Sequence, residues 1–195
     1  MSNFINTDEQ LDVLVSLQEL NRQLNRVCED ATAWKWVIVS LGSALNGALT
    51  CHLSGTMQVG ALEMKVARKT IAALQHDGTE PVPSPFLAKP KDLLSRAMSD
   101  ERIERTCDAL AVTDRQKQSF GLVFKWRNQF LHFSPQGWSI EVSGLPEMIR
   151  DCIAILKKIE IDGWSFRRLK SVEREQLKDL FVEIEEKACQ LQNKL

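Results

Sequence analysis

From Val37 to Leu62 the chain carries no Lys, Arg, Asp or Glu. A run of that length must be buried, in a protein core or in a bilayer. Ser40, Gly42, Ser43, Asn46, Gly47, Thr50, His52 and Ser54 interrupt it, which is too much polar and small character for a membrane span. A central helix wrapped by others fits instead, predicted over Trp34–Leu53. One face carries Trp34, Ile38, Leu41, Leu45 and Leu49. The opposite face carries Ser40, Ser43, Gly47 and Thr50, small side chains that let another backbone come close, within the bundle or across a dimer.

Caps and periodicity predict the surrounding elements. Thr7-Asp-Glu-Gln10 reads as a capping box ahead of Leu14, Leu17, Leu20, Leu24 and Val27, giving a first helix to about Cys28. A third helix is expected from near Met57 to Gln75, stopping at His76-Asp-Gly78. "TEPVPSPFLAKP" holds four of the six prolines and is a loop. Short helices are predicted at Lys91–Met98 and about Asp100–Leu110. Thr113-Asp-Arg-Gln116 is a second capping box, and its helix is closed by Pro135 and Gly137. "GWSIEVSG" alternates Trp138, Ile140 and Val142 with Ser139, Glu141 and Ser143, a brief extended segment.

A further helix is expected at Pro146–Ile159, broken by Asp162-Gly163. Ser171 then caps a last helix, about 171–193. Its Leu177, Phe181, Ile184, Ala188, Leu191 and Leu195 make a four-three seam, for packing on the bundle or for a peripheral, dimer-forming extension. The sum is one all-α helical bundle over residues 1–195, with a short extended segment after the helix that begins at Thr113.

Net charge is −1, which excludes a global polyanion-binding signature. The distribution is uneven, however. Residues 1–30 hold 2 basic and 6 acidic side chains, whereas residues 115–170 hold 10 basic and 5 acidic, a local excess compatible with an anionic ligand. Five cysteines (Cys28, Cys51, Cys107, Cys152 and Cys189) form no CxxC, and no basic-then-apolar leader opens the chain. The expectation is a reduced cytoplasmic protein with mostly buried thiols and no membrane association.

"FKWRNQFLHF", Phe124–Phe133, concentrates the candidate chemistry. On a helical wheel one arc holds Phe120, Leu122, Val123, Phe124, Trp126, Phe130, Leu131 and Phe133. The narrow complementary arc holds Lys117, Gln118, Gly121, Lys125, Asn128, Gln129 and His132. Asn128 and His132 are an i,i+4 pair and point the same way. Arg127 falls inside the apolar arc, where an unpaired guanidinium is costly. It either pairs with a structural carboxylate such as Glu141 or Glu147, or reaches toward a ligand. His132 either serves the helix C-terminus or acts in chemistry.

Arg127-Asn128-Gln-Phe-Leu-His132 resembles the signature of the HEPN superfamily: Arg, four to six residues, then His, with Asn favoured directly after the Arg. The resemblance covers about Thr113–Ile159 by motif and the rest by helical character. It implies a helical bundle that dimerises to bring two motifs into one cleft. It also implies a metal-independent RNA endonuclease of defence, toxin–antitoxin or stress systems, or a relative that only binds RNA or protein. On that reading Arg127 holds the phosphate, His132 moves the proton, Asn128 orients either, and Lys125 and Gln129 contact RNA. The implied partners are RNA, a second copy, and a cognate antitoxin or regulatory protein; no cofactor is expected.

The other candidates read differently. His52 lies on the apolar face of the second helix, as a core or interface histidine. His76 sits beside a turn. Three scattered histidines without paired ligand spacing give no zinc signature. Trp126 and Trp138 can stack on bases, though Trp126 has core neighbours. Arg167-Arg168-Leu-Lys170 is a basic run suited to RNA backbone or to solvent.

Overall fold

The computed structural model describes residues 4–75, 81–104, 106–133 and 135–194. Among them are seven helices and no strand: α1 Glu9–Leu24, α2 Ala33–Leu53, α3 Met64–Gln75, α4 Pro90–Ala97, α5 Asp114–Leu131, α6 Leu145–Ile161 and α7 Ser171–Gln192. The predicted all-α bundle is the observed architecture.

The charge-free run explains the layout. α2 is long and apolar enough to cross a membrane by length and composition. In the fold it is the central helix, packed by α1, α4, α5 and α6. Ile38, Leu41, Leu45 and Leu49 have no exposed surface, and each contributes about 1.5–3 kcal/mol by leaving water. Gly47 permits a close helix approach. A Cβ there would fall 2.8 Å from Val13 Cγ2 and 3.5 Å from the Glu9 carbonyl oxygen, so α1 and α2 pack antiparallel with almost no gap. That part of the small-residue face is therefore used inside the bundle. α7 lies on α6 and α1, with Leu177, Phe181, Ile184, Ala188 and Leu191 buried along the predicted seam; Leu195 lies outside the described residues.

Several boundaries differ from expectation. α1 starts one residue late, because Asp8 rather than Thr7 caps it, accepting from Gln10 N–H (3.0 Å) and Leu11 N–H (2.8 Å). α7 is likewise capped before Ser171: the Lys170 N–H donates to Glu173 Oε2 at 2.8 Å. The Thr113–Gln116 box forms as predicted. The segment 137–144 is not a strand, yet the alternation holds. Trp138, Ile140 and Val142 are half-buried, the last two against the core, while Ser139 and Glu141 are exposed.

The larger corrections are linked. Residues 57–63 are not the start of α3, and the described residues of Asp100–Leu110 are irregular rather than helical. Glu104 causes both departures. Its buried carboxylate accepts from the backbone N–H of Gly55 (3.1 Å), Met57 (2.9 Å), Val59 (2.8 Å) and Gly60 (2.9 Å). A loop whose amides are satisfied by one side chain has no need of a helix, and the segment carrying Glu104 must stay open to reach it. Arg96 on α4 secures the same loop by donating to the carbonyls of Gly60 (3.2 Å) and Leu62 (2.6 Å).

Candidate functional site

α5 is held by its inner face. Phe120, Val123 and Phe124 are buried, and Ser119 Oγ donates to the buried Asp151 of α6 at 2.8 Å. Arg115 pairs with the same Asp151 (2.8 Å) and with Glu147 (2.7 Å). The outer part of the predicted apolar arc stays exposed: Leu122 is 40% accessible, Leu131 44% and Phe133 63%. Lys125, Asn128, Gln129 and His132 are all exposed, as a polar stripe requires.

Neither carboxylate proposed for Arg127 binds it. Glu147 is taken by Arg115, and Glu141 accepts from Ser143 Oγ (2.8 Å). The aliphatic stem of Arg127 instead packs on α2 at Gly42, where a Cβ would lie 2.9 Å from Arg127 Cδ. Its Nε is buried without a partner, and its Nη1 donates to Asn128 Oδ1 at 3.2 Å. The guanidinium borders a polar cleft of about 410 Å³ between α1, α2 and α5, lined also by Asp8, Glu9, Asp12, Ser43 and Asn46. Two of these acids face Arg168, which pairs with Glu9 and lies 3.5 Å from Asp8. Burial raises the Asp12 carboxyl above its ordinary pKa.

His132 is the C-cap of α5, and its N–H donates to the Asn128 carbonyl at 2.8 Å. Asn128 therefore touches both ends of the motif, Arg127 through its side chain and His132 through its backbone. Beside it, Trp138 meets Phe130 (ring centroids 4.7 Å) and Phe133 (5.9 Å) at the mouth of an apolar pocket of about 560 Å³, which Trp34, Lys35 and Ile38 of α2 also line.

A second constellation was not legible from spacing. His52, at the end of α2, is fully buried, as the helical wheel predicts for a core residue. Its Nδ1 lies 2.8 Å from Asp162 Oδ2 and 3.1 Å from Cys107 Sγ, while Arg102 Nη1 approaches Nε2 at 3.4 Å. Burial works to lower the His52 pKa, but the bonds to Asp162 and Cys107 outweigh it and the net direction is upward. For Asp162 burial works upward, and the bonds from His52, Ser165 and Trp164 hold the carboxyl below its ordinary range. Together the three side chains offer one nitrogen, one sulfur and one oxygen donor.

Of the remaining thiols, Cys51 and Cys152 are buried and pushed upward by that burial, whereas Cys28 and Cys189 are exposed. The basic run is partly consumed: Arg167 stacks on Trp164 (3.8 Å) and Arg168 serves α1. Trp126 is half-buried against the core, and His76 lies outside the described residues.

The fold and the motif define an all-α bundle with an Arg-Asn-x3-His segment at the end of an exposed helix. No family model matches the chain, and no similar curated protein or solved structure was found.

Proposed function

We propose that the chain is a HEPN-type, metal-independent RNA endonuclease acting as a cytoplasmic dimer in defence, toxin–antitoxin or stress response. The observation that carries the reading is Arg127: among the described residues no carboxylate pairs with it, and its Nη1 is turned to Asn128. A guanidinium held by an amide keeps its charge available for a phosphate, which a buried ion pair would not.

The chemistry follows from residue types. RNA cleaves without metal when the ribose 2′-OH attacks the adjacent phosphorus and the 5′-oxygen leaves. His132, exposed at the helix end, takes the 2′-OH proton or supplies one to the leaving oxygen. Arg127 offsets the charge that grows on the phosphoryl oxygens. Asn128 orients Arg127, and Lys125 and Gln129 on the same stripe contact the backbone. The aromatic pocket beside His132 suits a splayed base. Exposed Leu122, Leu131 and Phe133 suit a second copy, which would supply a second histidine and separate the acid from the base.

The second reading is a non-catalytic RNA-binding or protein-interaction module, with an antitoxin or regulatory protein among its partners. One observation favours it: Arg127 shares its cleft with Asp8, Glu9 and Asp12, acids that disfavour a phosphate there. Incubation with mixed RNA in EDTA separates the two. The nuclease reading predicts cleavage by the wild type that Arg127→Ala and His132→Ala abolish. Binding without cleavage, in the wild type and both variants alike, supports the second.

A further inference from the structure

We propose that His52, Cys107 and Asp162 bind a single metal ion of the zinc class through Nδ1, Sγ and Oδ2. The three come from the end of α2, the irregular segment before α5 and the end of α6, yet their donor atoms all lie within 4.8 Å of one another.

The thiol and the carboxylate both lie within 3.1 Å of Nδ1. A nucleophilic cysteine relay places thiol and carboxylate on opposite imidazole nitrogens, so that a proton passes through the ring. Here Asp162 Oδ2 lies 2.8 Å from Nδ1, whereas Cys107 Sγ lies 3.1 Å from Nδ1 and 3.5 Å from Nε2, so the thiol flanks the ring and does not stand opposite the carboxylate. The thiol also reaches the His52 carbonyl at 3.6 Å, and one cation among the three donor atoms would engage all of them at once. Tetrahedral zinc with bonds of about 2.0–2.3 Å sets N···O and N···S separations near 3.3–3.6 Å. The observed N···O and N···S pairs need to part by about half an ångström to reach that spacing, and the sulfur must swing from Nε2 toward the Nδ1 side.

The donor set also matches. Thiolate, imidazole and carboxylate together suit zinc or cobalt rather than magnesium or calcium. The ligands are oriented by neighbours, as metal ligands are. Asp162 Oδ1 accepts from Trp164 N–H (2.8 Å) and Ser165 N–H (3.0 Å), while Oδ2 faces the histidine and accepts from Ser165 Oγ (2.9 Å). Thr106 Oγ1 donates to the His52 carbonyl at 2.8 Å, fixing the residue next to Cys107.

Binding has a defined proton balance. The Cys107 thiol proton goes to solvent, and the imidazole is metallated at Nδ1 and keeps its proton on Nε2. Arg102 Nη1, now 3.4 Å from Nε2, must turn away, while Nη2 stays tethered to the Cys107 carbonyl. Two anionic ligands neutralise a divalent ion, and three protein ligands leave one position for water. Gly42, where Arg127 packs, precedes His52 by ten residues, about 15 Å along α2. The ion thus clamps the far end of the bundle and takes no part in the motif.

The test is titration of the reduced, chelator-stripped full chain with Co(II). The expected result is a one-to-one complex with visible d–d bands and a near-ultraviolet thiolate-to-cobalt band, together with a rise in Tm on adding Zn(II). Cys107→Ser should lose the thiolate band and weaken binding at least tenfold, whereas Cys28→Ser and Cys189→Ser should change neither. A wild type with no stoichiometric cobalt spectrum overturns the proposal, whatever the variants do. So does a thiolate band that survives in Cys107→Ser.

Discussion

Arg127 donates a hydrogen bond to the side chain of Asn128, its neighbour in sequence, at 3.2 Å. Adjacent residues on a helix point about 100° apart, so the contact requires the guanidinium to bend sideways around α5 toward its neighbour. Gly42 makes room for that path. The Asn128 carbonyl meanwhile accepts the N–H of His132, which ties the histidine's backbone to the same residue.

Glu104 is expected to matter more for stability than any residue of the motif. Glu104→Ala leaves four backbone N–H groups without their acceptor after the end of α2, three of them buried. Bonds to a charged acceptor are worth about 1.5–3 kcal/mol each, and loop relaxation recovers part. A loss of roughly 3–5 kcal/mol in urea unfolding is predicted, with Glu104→Gln intermediate.

Glycine substitutions should split by position. At Gly60 a Cβ would sit 1.9 Å from the Leu53 carbonyl oxygen, so Gly60→Ala must displace the loop, costing about 2 kcal/mol or more. At Gly121, inside α5, a Cβ meets nothing within 4 Å. Gly121→Ala should therefore stabilise by about 0.5–1 kcal/mol through helix propensity. Thermal melts of the two variants check the opposite signs.

Asp12 gives a pH signature. Its folded pKa is raised by burial, so its contribution is fully present below the unfolded carboxylate value and is lost as pH rises through the folded one. Asp12→Asn should accordingly raise Tm at pH 7 relative to wild type. Melts repeated at about pH 3, below the ordinary carboxylate range, should show the difference shrinking. A gain that is the same at both pH values would mean that ionisation of Asp12 is not its source.

Much of the fold was legible because it depends on periodic burial. The Val37–Leu62 run, the Thr113 box and the α7 seam each announce a helix through local pattern alone. Glu104 was not legible, since nothing nearby in sequence says that a carboxylate will satisfy amides more than forty residues away. The same holds for His52, Cys107 and Asp162. Helical pattern placed His52 in the core, but its partners arrive through long-range packing. At the motif, the wheel placed Lys125, Asn128, Gln129 and His132 on an exposed stripe and marked Arg127 as out of place. It did not show the course of the Arg127 side chain, which depends on a glycine of another helix.

The most direct measurement of the central claim is RNA cleavage by the purified chain in EDTA, scored for both rate and product ends. The account predicts products with 2′,3′-cyclic phosphate ends, and a fall of about 10²–10⁴ in rate for His132→Ala. Arg127→Ala should lose activity comparably and Asn128→Ala less, with all three variants folded by circular dichroism. No cleavage by the wild type, or rates unchanged in Arg127→Ala and His132→Ala, would contradict it.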